Sequence, residues 1–299
     1  MNRILKTVSL ILPLLACIQP LSADNWPAWR GPTGNGLGEP GNYSWKFSPT
    51  TNVLWKIPLP GKGSSTPAIW EDSIFLTAPI DGKDGVICYD RSGKKKWQLA
   101  FNNERPGKHR NGSGSNPSPV TDGEQVFVYY KTGTLAAIDI KGDLNWQCNL
   151  QKDFGSDSLW WDLGTSPVLA GDLVIVAVMH EYEGGDPGKS MDSYLAAFSK
   201  KDGKLAWSYS EGTVLNPTIS IRDNKIFFVE SRNPEILKQA TGRLHGPNLW
   251  KDQFLVALDA YTGKKLWEEP IDTADGTVVF YMLATEHGIV IQSSTEGKY

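Results

Sequence analysis

One short phrase recurs four times along the chain. Residues 89–97 read YDRSGKKKW, 139–146 DIKGDLNW, 199–207 SKKDGKLAW and 259–267 DAYTGKKLW. Each time an apolar run ends, a tight Gly-containing turn follows, and a second run starts at a Trp. Recurrence in register marks an internal repeat. A repeat constrains the fold more tightly than composition does, because each unit must bury its apolar face against the next.

Working outward from the phrase gives four strands per unit. The units open on a Pro-containing stretch: SSTPAIW (64–70), SNPSPVT (115–121), GTSPVLA (164–170) and VLNPTIS (214–220). A polar turn leads to a strongly apolar second strand: SIFLTA, QVFVYY, LVIVAV or KIFFVE. A third strand follows (ICYD, AAID, LAAF or VALD), then the tight turn and the Trp strand. Four short antiparallel strands per unit, with Pro placed where no ladder bond is required, predict an all-β fold. The pattern is that of a β-propeller of four-stranded blades. The predicted blades span about 64–101, 115–150, 164–210 and 214–271, with a partial fifth at 278–299.

The recurring slots have packing reasons. Gly93, Gly142, Gly203 and Gly263 supply positive φ in hairpins too short for a Cβ. Trp97, Trp146, Trp207 and Trp267 offer broad surfaces for packing one blade on the next. Trp55, in NVLWKIP, carries the same outer strand without the three before it. Cys88 aligns with Ala137, Ala197 and Ala257, which makes it a small buried thiol rather than a catalytic or disulfide cysteine. Whether Cys88 pairs with Cys148 is not readable from spacing alone. The 12 Trp and the abundance of Gly (30) and Pro (19) fit many short strands joined by turns.

Residues 1–23 have the form of a secretory signal: basic Arg3 and Lys6, an apolar stretch from Val8 to Ile18, and a small-residue site at Leu21-Ser22-Ala23. The run is too short to span a bilayer comfortably. Leu14-Leu15-Ala16-Cys17 also has the outline of a lipobox, which leaves a lipid anchor at Cys17 as the alternative. The expectation is an exported protein, periplasmic or extracellular, or in that alternative a membrane-anchored lipoprotein, with an extended segment at 24–52. Losing Arg3 and Lys6 leaves 28 basic against 33 acidic side chains, which argues against a general nucleic-acid binder.

The phrase VALDAYTGKKLW resembles the repeats of the pyrroloquinoline-quinone-like (PQQ-like) β-propeller superfamily, and NWPAWRGPTGNG (25–36) is similar to the start of its exported bacterial members. The resemblance covers roughly 25–299, with 53–299 as propeller repeats. It implies one of two activities. The superfamily's alcohol dehydrogenases oxidise alcohols or sugars with a quinone and Ca²⁺, inside eight blades and under a disulfide between adjacent cysteines. Its outer-membrane assembly lipoprotein is a scaffold. This chain has no adjacent cysteines and about half the blades, and no acid matches the family's base by motif. The reading is therefore an exported scaffold with no catalytic activity or cofactor evident, and its alternative is a quinone- and Ca²⁺-dependent dehydrogenase of alcohols or sugars, or a non-functional fragment of one. The resemblance also implies an open arc, the amino-terminal part of a longer propeller; a five-blade ring closed by Trp55 is the other arrangement.

Strands alternate up and down, so the A–B and C–D turns of every blade share one face and the B–C and D–A connections share the other. The long connections, 102–116, 151–164, 180–193 and 231–253, all belong to the second face. Long loops on a rigid scaffold are where binding residues collect. The expected binding face comprises Arg105, His109, Arg110, Trp160, Trp161, Asp162, His180, Glu181, Arg232, Arg243, His245 and Trp250, contacting a protein or polysaccharide. The adjacent pair His180-Glu181 is not a metal site on its own, because neighbouring side chains leaving a strand point apart. Gly34 to Gly38 lacks the strand, helix and Lys-Ser/Thr end of a phosphate cradle and reads as a surface turn.

Overall fold

The computed structural model describes residues 25–154, 162–178, 194–215, 218–237, 247–272 and 280–293. The signal, the lipobox at Cys17, and Trp160, Trp161, His180, Glu181, Arg243 and His245 lie outside these residues.

Four antiparallel sheets follow one another in chain order. The first is β1 (Ala68–Trp70), β2 (Ser73–Thr77), β3 (Lys83–Tyr89) and β4 (Lys95–Asn103). The second is β5 (Val120–Thr121), β6 (Gln125–Tyr129), β7 (Thr134–Asp139) and β8 (Leu144–Asn149). The third is β9 (Val168–Ala170), β10 (Leu173–Val178), β11 (Tyr194–Ser199) and β12 (Leu205–Tyr209). In the fourth, the inner strand is split. Both β13 (Thr213–Val214) and β14 (Ser220–Arg222) pair with β15 (Lys225–Ser231), which leads to β16 (Gln253–Asp259) and β17 (Lys265–Ile271). A fifth unit consists of β18 (Phe280–Thr285) and β19 (Gly288–Ser293). The protein is a β-propeller arc of four complete blades and a partial fifth. Residues 53–57 form no ladder, and among the described residues no strand pairs with the free edge of β19, so Trp55 does not close a five-blade ring.

Burial explains the strand composition. The second and third strands of the four complete blades are largely buried and mostly apolar, as in LVIVAV of β10. The outer strands alternate between half-buried and exposed, as in KKWQLAFNN of β4. Core clusters form between blades: Ile175, Leu195, Trp207, Phe228 and Val256 join the third to the fourth, and Phe127, Leu135, Val176 and Phe198 join the second to the third.

The repeated phrase is the clasp between blades. Each Trp lies on the tight turn of the following blade. A Cβ at Gly93 would sit 2.9 Å from Trp55, at Gly142 2.8 Å from Trp97, at Gly203 2.5 Å from Trp146 and at Gly263 2.5 Å from Trp207. Those glycines are needed twice over, for positive φ and for the absent Cβ. Each indole N–H also donates to a carbonyl of that turn: Trp55 to Arg91 (2.7 Å), Trp97 to Ile140 (3.0 Å), Trp146 to Lys200 (2.8 Å) and Trp207 to Ala260 (3.1 Å). Trp55 therefore makes on the first blade's turn the contact that the outer-strand Trp residues make on the blades that follow. Within its own blade each Trp faces a small residue, Cys88 opposite Trp97 and Ala137, Ala197 and Ala257 opposite Trp146, Trp207 and Trp267, always beside a bulge. Cys88 is a fully buried free thiol, and burial pushes its pKa up to about 11.

The amino-terminal segment crosses the inner strands. The Trp26 and Ile69 N–H groups each donate to the other's carbonyl (2.9 and 2.8 Å), the Thr121 N–H donates to Pro27 O (2.9 Å), and Arg30 Nη1 donates to Met282 O (3.3 Å). Residues 25–30 thus touch blades 1, 2 and 5, and the Gly31 turn folds under the Trp26 ring. Ser220 Oγ also donates to Met282 O, joining blade 4 to blade 5.

The clasp predicts an asymmetry between two equivalent positions. Trp207 is 8% exposed and Trp267 37%, with no following turn beneath it among the described residues. Trp207→Ala is expected to cost about 3–5 kcal/mol, and Trp267→Ala about 1 kcal/mol, read from urea unfolding curves followed by fluorescence.

Candidate functional site

The loop between β4 and β5, residues 104–119, is held in place from three blades. Its chief anchor is Asp162, on the segment leading to β9. One carboxylate oxygen accepts from the Lys108 N–H (2.7 Å) and the other from the His109 N–H (2.9 Å). The Lys131 ammonium, from the turn between β6 and β7, lies 3.0 Å from Asp162 Oδ1, and both side chains are almost wholly buried, at 3% and 6% exposure. Burial alone would raise the Asp162 pKa; the His109 and Lys108 N–H groups and the Lys131 ammonium outweigh it and hold the carboxyl below its ordinary range. Lys131 Nζ also donates to Pro106 O (3.4 Å).

A second anchor comes from blade 1. Asp84, at a bulge in β3, is fully buried; it accepts from Ser115 Oγ (3.1 Å) on the loop and from Thr132 Oγ1 (2.7 Å) on the β6–β7 turn. A Cβ at Gly114 would lie 3.1 Å from Asp84 Oδ1 and 2.7 Å from Arg105 O, so the loop backbone is wedged beside the carboxylate.

The pinned loop forms one wall of a cleft of about 480 Å³. The opposite walls are Pro60 to Lys62, which lead into β1, and the β2–β3 turn with Pro79, Asp81 and Gly82. All three pieces are D–A or B–C connections, so the cleft opens on the face where the long loops gather. Its lip carries Lys62, Lys108, His109 and Arg110, with Glu104 and Asp81 as acids. Pro and Gly make much of the wall, which leaves backbone groups forming a large share of its surface. The His109 ring is oriented too, because its Nδ1 accepts from the Asn111 N–H (3.2 Å).

The expected site residues divide accordingly. His109 and Arg110 line the cleft, and Asp162 holds its wall from behind. Arg105 turns inward and donates to Lys131 O (3.5 Å). Arg232 sits elsewhere, as the hub of an ion network at blade 4. It pairs with Glu230 and Glu268, both at 2.7 Å, and with Glu211 at 3.4 Å, and its guanidinium stacks 4.2 Å over Phe254. Lys265 joins Glu211 and Glu268, Tyr209 Oη donates to Glu230 (3.0 Å), and Arg232 followed by Lys265 holds the Glu268 pKa down to about 2. That arrangement is a staple for the split inner strand. Trp250 closes a 3-10 turn, Pro247–Trp250, beyond β15. Sequence reasoning missed Lys62 and Asp81, which sit on connections too short to stand out, and passed over Glu104 within the long connection 102–116. It also missed the buried Asp84 and Lys131, whose only signal is a charge beside an apolar strand.

Breaking the main anchor has a predictable cost. Asp162→Ala leaves Lys131 charged and buried without its partner, and is expected to destabilise the chain by about 3–5 kcal/mol. Because the folded-state pKa of Asp162 is depressed, its contribution is present at neutral pH and is lost only as pH falls through that lowered value. Urea unfolding at pH 7 and at pH 3 should show the wild-type advantage over Asp162→Ala shrinking in acid.

A family model described as outer membrane protein assembly factor BamB matches residues 46–185 and 188–297. No curated protein matches the sequence. Among solved structures, quinohemoprotein alcohol dehydrogenase ADHIIG from Pseudomonas putida HK5 is similar at 17% identity and a TM-score of 0.51, over 81% of this chain and 40% of that one. The quinohemoprotein alcohol dehydrogenase from Comamonas testosteroni is similar at 16% and 0.52, over 79% and 41%. BamB from Moraxella catarrhalis gives 16% and 0.40, over 78% and 67%. The chain spans about two fifths of the two dehydrogenase structures, and at these identities the likeness is one of fold.

Proposed function

The chain belongs to the family described as outer membrane protein assembly factor BamB, and from that premise we propose that it is an exported propeller scaffold binding a protein or polysaccharide partner through its long-loop face. The observation that carries this reading is the pinned cleft. A surface loop fixed by a buried ion pair and a buried carboxylate is already ordered before a partner arrives, so little entropy is lost on binding. Its lip carries the cationic side chains Lys62, Lys108 and Arg110, which suit recognition of a polar or acidic partner. Export rests on the form of residues 1–23 and is itself part of the proposal. No helix among the described residues is long and apolar enough to cross a membrane.

A quinone with its calcium needs several converging oxygen donors. Among the described residues no group of three or more His, Cys, Asp or Glu side chains is placed to hold a metal ion, and Cys88 and Cys148 are separate free thiols on different blades. Stoichiometric quinone absorbance after reconstitution with Ca²⁺ would overturn the scaffold reading.

The direct test uses the mature chain as bait in envelope extract, with a glycan array in parallel. A partner held by wild type and lost, by at least tenfold in affinity, from the double variant Lys62→Glu/Arg110→Glu supports the cleft as the docking site. Blank arrays together with an empty pull-down refute it.

A further inference from the structure

The cleft wall has two anchors of opposite electrostatic character. Asp162 has a cation in contact; Asp84 has none. The groups facing Asp84 are the Ser115 hydroxyl on the loop, the Thr132 hydroxyl on the β6–β7 turn, Glu104 after β4 and Tyr130 before that turn. The nearby ammonium of Lys131 is committed to Asp162 and Pro106 O, and the Arg105 guanidinium donates to Lys131 O. Tyr130 is fully buried, and neither its hydroxyl nor Glu104 Oε2 has a hydrogen-bond partner. Among the described residues Asp84 is thus buried against two hydroxyl donors, with a second carboxylate within electrostatic reach and no cation in contact. The loop residues Gly114 and Ser115 form the lid of that pocket.

We propose that Asp84 is a proton-operated latch on the 104–119 loop, closing the cleft wall when protonated and loosening it when ionised. The inference rests on the reading of the cleft as the binding site and adds its regulation. An ionised carboxylate without a cation is penalised by burial, whereas the same group gains solvation when the loop lifts. Burial, with Glu104 adding like-charge repulsion, lifts the Asp84 pKa to about 6 against the pull of the Thr132 and Ser115 hydroxyls. With the loop open the carboxyl returns toward an ordinary value near 4. The sign follows. The closed state holds the proton more tightly than the open state, so closure is favoured at low pH and its advantage drains away as pH rises through about 6. Asp162 does the reverse and lets go only as pH falls through its own lowered value. The loop is therefore tightest between the two, in mildly acidic conditions.

Hydrogen exchange on the partner-free mature chain tests this, because it reads the loop rather than binding. The reporters are the Lys108, His109, Gly112 and Ser113 amides, each hydrogen-bonded in the closed loop. After correction for intrinsic rates, their protection is expected to fall about tenfold from pH 5 to pH 7.5. Asp84→Asn, which keeps the shape without the charge, should abolish that slope and stay at the protected level. A flat wild-type profile, or a slope that survives in Asp84→Asn, overturns the latch. Should Asp84→Asn not fold, the carbon-13 shift of the wild-type Asp84 carboxyl decides: a midpoint near 6 supports the latch and one near 4 refutes it. Failure of the pull-down leaves these measurements untouched, so the two readings fall separately.

Discussion

The fold depends on one repeated contact: an indole laid on a turn that has no side chain. Trp207 on Gly263 shows what it achieves. The ring excludes water from the seam between blades, its N–H satisfies a carbonyl that the tight turn would otherwise leave to solvent, and Ala197 across the strand leaves room for the ring to lie flat. Adding a methyl at 263 or enlarging 197 would push the blades apart. Because the same contact recurs from Trp55 to Trp207, the blades are set at a regular pitch and their tight turns stay on one face. The long connections are left to the other.

This is also why the scaffold was legible and the site was not. The repeat, the strand order, the role of Gly93 and its counterparts, and the alanine-like packing of Cys88 are local or periodic properties, and periodicity is visible in one dimension. The second reason for those glycines, the ring lying on them, depends on a Trp one blade earlier and was not read from the turns alone. The cleft is harder still. Asp162 meets Lys108 across 54 residues, Asp84 meets Thr132 across 48, and Lys62 reaches the same cleft from a third connection. Nothing in the spacing of these residues announces that they converge. Arg232 illustrates the converse: a loop arginine looks available in sequence, but Glu230 on β15 and Glu268, two strands away on β17, engage it.

The buried polar groups divide the labour of shaping that surface. Lys131 and Asp162 neutralise each other and take further hydrogen bonds from or to backbone groups, a condition that favours a buried pair. Asp84 is satisfied by hydroxyls alone, which stabilise a carboxylate less than an ammonium does. One loop is thus tied down by a strong anchor and a conditional one, while the four-stranded sheets beneath stay apolar and rigid.

The amino-terminal segment adds a temporal dimension. Arg30 meets Met282 across 252 residues, and Trp26 and Pro27 meet strands of the first two blades. Blade-to-blade contacts are between neighbours in sequence and can form as each unit emerges, but the Arg30 contact cannot exist until β18 has been made. Contacts of such separation are slow to form because a long loop must close first. Residues 25–30 can dock on the first blades early, yet their guanidinium finds its last acceptor only at the fifth, so the segment that begins the described chain is among the last to be fully seated.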